Sequence, residues 1–347
     1  SNPRASSPLR GLPDMLSEKH LPAFYVLGAL LLVVLPWLLT AAGSSYLVST
    51  ATRLVIFAIG AVSLDLLIGY TGLVSFGHAA FFGVGAYVVG ILAFHNFEGT
   101  TVLGFYGTLA GLVVLPLAVL ISAVAALIIG ALALRTKGVY FIMITLSFGQ
   151  MLFFLFVSLE AYGGDDGMMM FEGRNLMPAI DLNDRITFYY FCLAIFAAFF
   201  AFCHRLVRSK FGRVLAAIRQ NEDRMTSIGI RPYTAKLLIF VIAGAGAGLA
   251  GALMANHTEF VSPGLTHWTK SGDLMIVVIL GGIGTLLGPV LGAFAFLLLE
   301  EFLPIIFHDL GMDLMKEHWR VVFGPILILI VLFAKTGLYG LIFKKPG

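Results

Sequence analysis

Apolar runs about twenty residues long, separated by short polar or glycine-rich stretches, recur along almost the whole chain. The pattern predicts membrane-spanning helices near 23–42, 47–68, 74–95, 108–134, 139–159, 186–206 and 234–255, a long segment at 274–303 and a last span at 320–334. Glycines 281, 282, 284 and 288 and Pro289 interrupt the long segment, so a kinked span, a re-entrant turn or two short helices are expected there. Runs of this length read as helices rather than barrel strands, which need only about ten residues to cross a bilayer. The first run, Ala23 to Ala42, exceeds the roughly 7–15 residues of a secretory core and is read as a span.

Composition agrees. The 347 residues are 59% hydrophobic and 12% charged, whereas a soluble domain carries about a quarter charged residues. Cys192 and Cys203 lie on one expected helix, about 16 Å apart along its axis, which is too far for a disulfide. They are expected to be buried packing residues.

Charge sets the orientation. Residues 204–236 carry eight Lys/Arg against Glu222 and Asp223, while the whole chain is only +3. Basic loops between spans stay on the cytoplasmic side, which places the 207–233 loop and the Arg135–Lys137 turn inside. The loop 160–185 holds six acids against Arg174 and Arg185, in keeping with an outer location. Counting outward from these loops puts the 1–22 tail and the 342–347 tail inside, provided 274–303 returns to the outer face. Nine or ten passages result, with 23–341 as the transmembrane domain.

Within the basic loop, Val214, Ala217, Ile218, Met225 and Ile228 fall in a stripe about 100° wide if Arg213–Ile228 is one helix, and Asn221 alone interrupts it. Gly229 is a candidate C-terminal cap and Pro232 blocks continuation. Such a helix could seat its stripe in a groove of a soluble partner or lie on anionic lipid. The compact, well-terminated helix favours docking.

Few polar groups sit at membrane depth. Gly69–Gly90 is rich in glycine, which suits close helix packing. Ser75 and His78 within it suggest a broken helix beside a permeation path. Asp65 is read as a structural anchor near the cytoplasmic end, with Arg53 too distant to pair with it. Thr145, Ser147 and Gln150 are candidates for a polar passage, against the alternative of bonding back to their own helix. Gly244, Gly246, Gly248 and Gly251 read as helix-packing positions. The Gly281–Gly288 cluster echoes Gly69–Gly77, a hint of two related halves. Asp165 and Asp166 lie in an acidic outer turn that lacks the further ligands of a calcium loop.

No Gly-Lys dipeptide, and hence no phosphate-binding loop, occurs, and neither do zinc-protease or hydrolase signatures. The chain is read as a transport subunit rather than an enzyme. The strings GYTGLVSFGHAAFFGVGAY (69–87), TKGVYFIMITLSFGQ (136–150), YGGDDGM (162–168), GRVLAAIRQNEDRMTSIGI (212–230), ILGGIGTLLGPVLGA (279–293) and TGLYGL (336–341) follow one another in an order that resembles the branched-chain amino acid ABC permease family. That resemblance implies an all-α, polytopic bundle similar to ribose-type permeases, in a bacterial inner membrane.

It also implies a second homologous permease, two ATPase subunits that carry ATP and Mg, and a periplasmic solute-binding protein, with lipid around the bundle and no nucleic acid. By the same resemblance Gly212, Arg213, Val214, Ala217, Ile218, Arg219, Asn221, Glu222, Met225, Ile228 and Gly229 couple to the ATPases, while Asp165 and Asp166 face the binding protein. Branched-chain or related amino acids are the expected cargo, with urea, short amides or aromatic acids as alternatives. A passive channel or ion-coupled carrier is the rival class, and spans poor in ionisable groups argue against ion coupling.

Overall fold

The computed structural model describes residues 21–41, 45–102, 104–178, 180–309, 321, 324–325, 328 and 337–342. The tails 1–20 and 343–347 and most of the expected span at 320–334 lie outside the described residues. The described helices are α1 (Leu21–Ala41), α2 (Ser45–Thr71), α3 (His78–Glu98), α4 (Gly111–Ala133), α5 (Val139–Ser158), α6 (Arg185–Arg208), α7 (Lys210–Gln220), α8 (Glu222–Ser227), α9 (Pro232–Thr258), α10 (Trp268–Gly281), α11 (Gly288–Asp309) and α12 (Gly337–Ile342). Sheet structure among these residues is confined to two-residue strands: β1 (Thr101–Val102) with β2 (Phe105–Tyr106), and β3 (Met168–Met169) with β4 (Phe260–Val261), both pairs antiparallel. The fold is a polytopic all-α bundle, and seven of the described helices are long and apolar enough to cross a membrane.

Helices apolar all round must be enclosed by other helices or by lipid. α2 takes the first course and is buried along nearly its whole length by α6, α9, α10 and α11. α4 takes the second, presenting Leu112, Leu120, Val124, Ile128 and Leu132 outward. α9 is the hub. Its glycines approach different neighbours: Gly244 meets Ala126 of α4, Gly246 meets Phe199 of α6 and Ser63 of α2, Gly248 meets Ser122 of α4, and Gly251 meets the Phe82 carbonyl of α3. Bare backbone lets four helices crowd one, which matches the packing role expected of these positions. Cys192 and Cys203 are buried and unbridged, as expected.

Two departures from uninterrupted spans shape the bundle. The span expected at 74–95 begins only at His78, because residues 72–77 leave the helix and turn back into the bundle. His78 then contacts Ser63, eight residues above Thr71 at the end of α2, so α3 starts about 12 Å inside the end of α2.

The second departure is a true re-entry after α9. Descending along α3, Val261 packs at Gly90, Thr266 packs at Gly83 and Ser271 accepts from the Ala79 amide. α10 is thus a half-helix of 14 residues, about 21 Å long, reached from the end of α9 through the short β4 strand and a tight helical turn at Pro263–Leu265. At 282–287 the chain turns, with Gly282 and Gly284 at φ 121° and 78°, and α11 returns outward. The break expected in 274–303 is therefore present, and α11 returns beside α10 towards the end of the bundle where α9 finishes.

Candidate functional site

At the end of the bundle that carries the basic loop, Ser209 caps α7 by accepting from the Gly212 amide at 3.3 Å. Asn221 then takes extended backbone (φ −159°, ψ 104°), closes α7 and caps α8 by accepting from Arg224 N at 2.8 Å. This corrects the single helix expected over Arg213–Ile228. An Asn side chain that bonds the backbone three residues on offers the chain an N-cap, and here it ends one helix and begins another.

The break also resets the helical phase. Gly212, Leu215 and Ile218 form the buried face of α7, and Met225 is buried on α8. Leu215 lay outside the expected stripe, because one wheel was drawn across two helices. Val214 and Ala217 are half-buried flanks, and Ile228 is 67% exposed. The apolar stripe therefore packs mainly under the chain's own α2, α6 and α9 rather than standing free for a partner.

Facing outward are Arg213, Ala216, Asp223, Arg224, Ser227, Ile228 and Gly229. Gly229 (φ 87°) closes α8 as expected: its amide donates to Thr226 O at 3.0 Å, and Ile230 N donates to Met225 O at 3.1 Å. That doubled bond pattern is a Schellman motif. Pro232 does not merely stop α8; it opens α9.

Two charged members of the segment bond back to the bundle, half-buried Glu222 and Arg219, which is itself exposed. Glu222 pairs with Lys236 of α9 at 2.8 Å and Lys137 of the α4–α5 turn at 3.6 Å. Partial burial would raise its pKa, but the Lys236 hydrogen bond and the charges of Lys236 and Lys137 outweigh that and hold it below the usual value. Arg219 reaches under the bundle, its Nη1 donating to the Gly69 carbonyl. Asp65 lies one turn above Gly69, wholly buried, and its Oδ1 accepts from Gly284 N at 2.8 Å. It is an anchor, as expected, and its partner is the α10–α11 break. Gly69 must be glycine here, since a Cβ would sit 2.6 Å from Gly284 N and Cα.

The expected path residues do not form one passage within this chain. His78 is wholly buried, and its Nε2 lies 2.8 Å from Ser63 Oγ. The Ser63 hydroxyl hydrogen goes to Gly60 O, so the imidazole nitrogen is the donor in that pair. His78 is thus a contact between α2 and α3 beside the break, and its Nδ1 is buried without a partner among the described residues. Ser75 is buried, and its Oγ has no hydrogen-bond partner among the described residues. Thr145 is buried against Gly77 and bonds back to Ile142 O at 3.0 Å. Ser147 points the other way, exposed on α5 and bonded back to Met143 O. Gln150 is half-buried beside it, its Nε2 buried without a partner among the described residues. Ser75 and Thr145 therefore flank the α2–α3 break, while Ser147 and Gln150 lie towards the outward face of α5.

On the outer side, Asp165 and Asp166 are exposed on a turn closed by Gly167 N donating to Gly163 O at 3.2 Å. Exposed Phe97, in the last turn of α3, and Phe171 meet at 5.2 Å with tilted rings. Beneath lies a cluster that charge counting alone did not find. Arg174 is buried, donates to Asn256 O at 3.0 Å and Leu182 O at 2.7 Å, and covers the Phe188 ring at 4.3 Å. Among the described residues no three His, Cys, Asp or Glu side chains gather to hold a metal.

The family model described as "Branched-chain amino acid transport system / permease component" matches residues 46–332. The chain is 28% identical over 333 residues to a high-affinity branched-chain amino acid transport permease protein, LivM, of Salmonella typhimurium, spanning 89% of this chain and 73% of the relative. The Escherichia coli counterpart is 28% identical over 314 residues, covering 84% and 69%. A probable LivM of Methanocaldococcus jannaschii is 26% identical over 323 residues, covering 84% and 91%. No solved structure matches the chain.

Proposed function

Since the chain belongs to the branched-chain amino acid transport system permease family and is a multi-pass membrane permease subunit rather than an enzyme, we propose that it carries branched-chain or related amino acids inward, powered by separate ATPase subunits. A second, homologous permease completes the pathway, two ATPases bind on the cytoplasmic side, and a solute-binding protein delivers cargo outside. The observation that carries the reading is the α7–α8 segment, two capped helices slung between long spans with a basic, partly apolar face turned outward. A rigid body so placed passes displacement directly to α6 and α9.

In this reading Ile228 is the apolar knob of the ATPase contact, with Arg213 and Arg224 around it to meet acidic groups at a groove's rim. Arg219 and Glu222 tie the segment to the bundle, Asn221 caps α8, and Leu215, Ile218 and Met225 seat it on the bundle. The outward face of α5, with Tyr140, Met143, Ser147, Met151 and Phe154 exposed and Gln150 at its edge, lines the path opposite the second permease. Asp165 and Asp166 offer charge to the binding protein.

The test is reconstitution of this chain with its partner subunits in vesicles, following labelled leucine. Uptake should require ATP and the binding protein together. A new cysteine at position 228 should cross-link to the ATPase, selectively because Cys192 and Cys203 are buried. Full-rate uptake without nucleotide would establish the channel or carrier reading instead.

A further inference from the structure

Burying a carboxylate in a helix bundle is costly unless hydrogen bonds and a cation compensate it. Asp65 is wholly buried and has one hydrogen bond, from Gly284 N, while its Oδ2 has none among the described residues. Arg219 lies beneath the same turn of α2, at Gly69, four residues on from Asp65, and among the described residues the two make no direct ion pair. Arg219 simultaneously donates to Gly69 O. That carbonyl belongs to the last turn of α2, where acceptors lack intrahelical partners and the helix dipole is negative. Gly284 lies against the same turn, so that a Cβ on it would meet Gly69 O at 3.2 Å and Arg219 Nη1 at 3.7 Å. One guanidinium thus closes a ring of backbone and charge through α7, the foot of α2 and the α10–α11 break.

We propose that Arg219 is a positioning residue that locks α7 to both glycine breaks, so that a displacement of α7 is delivered to the α2–α3 turn and the α10–α11 turn together. The proposal rests on the reading that α7–α8 receives motion from an ATPase. The apolar seat of α7, Leu215 and Ile218, cannot do this alone, because apolar contacts are non-directional and allow sliding. A charge-assisted hydrogen bond to a backbone carbonyl holds register. The ring therefore moves as one body.

The experiment uses the full complex in nanodiscs, with assembly followed by co-purification and coupling read as solute moved per ATP hydrolysed. In Arg219→Ala and Asp65→Asn that ratio should fall at least tenfold. The double variant should be no worse than the poorer single one, because both break the same ring. Arg219→Lys, which keeps the charge without the fork, should recover part of the loss. An unchanged ratio in Arg219→Ala, or losses that multiply in the double variant, overturns the proposal.

Should Arg219→Ala fail to assemble, the ring is tested intact. Spin labels at Ala216→Cys and Ile283→Cys, both exposed positions, should keep their separation between nucleotide-free and vanadate-trapped states while each moves relative to a label at Phe97→Cys. A change in the 216–283 distance refutes the lock. Failure of the position-228 cross-link would instead refute the ATPase-docking reading, whichever way the 216–283 distance behaves.

Discussion

A single methyl group at Gly85 should destabilise the bundle, whereas the same methyl at Gly272 should stabilise it. Both glycines lie within helices, α3 and α10, where alanine is favoured over glycine by about 1 kcal/mol. At Gly272 nothing lies within 4 Å of the new Cβ, so the propensity gain stands alone. At Gly85 the Cβ would collide with the Gly248 carbonyl oxygen and sit 2.6 Å from its carbon and 2.7 Å from Cα. Ordinary carbon contacts are about 3.5–4.0 Å, so α3 and α9 must part by about 1 Å.

Relief is hard to find, because Gly248 is itself pressed on Ser122 and Gly251 on the Phe82 carbonyl. Overpacking costs about 1–3 kcal/mol where side chains can yield, and backbone yields less. Subtracting the propensity gain leaves Gly85→Ala about 2 kcal/mol less stable and Gly272→Ala about 1 kcal/mol more stable. Unfolding of the purified chain by graded denaturant in detergent measures both. A Gly85→Ala midpoint at or above that of the parent would refute the packing argument, as would Gly272→Ala falling below Gly85→Ala.

Arg174→Leu should cost about 1–3 kcal/mol, the range for leaving a buried acceptor unsatisfied, since it strands the Asn256 and Leu182 carbonyls and uncovers Phe188, while the partner Glu259 stays 45% exposed; no measurable loss in the same unfolding assay would contradict this. Glu222 is held below its usual pKa, so its contribution is complete above the unfolded-state value and disappears as pH falls through the lower folded one. Glu222→Gln should therefore flatten the acid limb of the stability profile below about pH 5, measured by pH-dependent melting, and an unchanged limb would exclude the Lys137–Glu222–Lys236 tie as its source. Gln150→Leu should cut uptake while assembly with the partner subunits persists, and undiminished uptake would remove Gln150 from the proposed α5 path wall.

Most span positions within the described residues and the division of the 274–303 segment were legible, because each depends on composition over a window. Capping at Gly229 was legible too, being local chemistry. The fold of the coupling segment was not. Asn221 was noticed as the one polar interruption of the stripe, yet its side chain serves as a cap rather than a blemish, and everything after it turns to a new phase. A wheel fitted to Lys210–Gln220 alone centres on the face of Leu215 and Ile218, the face that packs.

Partner choice was the larger obscurity, and it has a physical cause. With 39 glycines, this bundle makes its closest contacts between backbones: Gly69 with Gly284, Gly85 with Gly248, Gly281 with Gly288, Gly77 with the Thr145 carbonyl. A glycine announces that something will come close but carries no side chain to say what. The same ambiguity hid the roles of the charged groups. Arg219 sits in a row of basic residues that invite a soluble partner, and only the proximity of a glycine carbonyl ties its guanidinium to the bundle. The charges that meet water could be assigned from pattern, whereas Asp65, Arg174 and Arg219 required knowing which distant backbone lay opposite. A bundle packed through glycine therefore places its mechanical joints where sequence pattern is weakest, at contacts between segments 150 or more residues apart, as Arg219 is from Gly69 and Gly284 from Asp65.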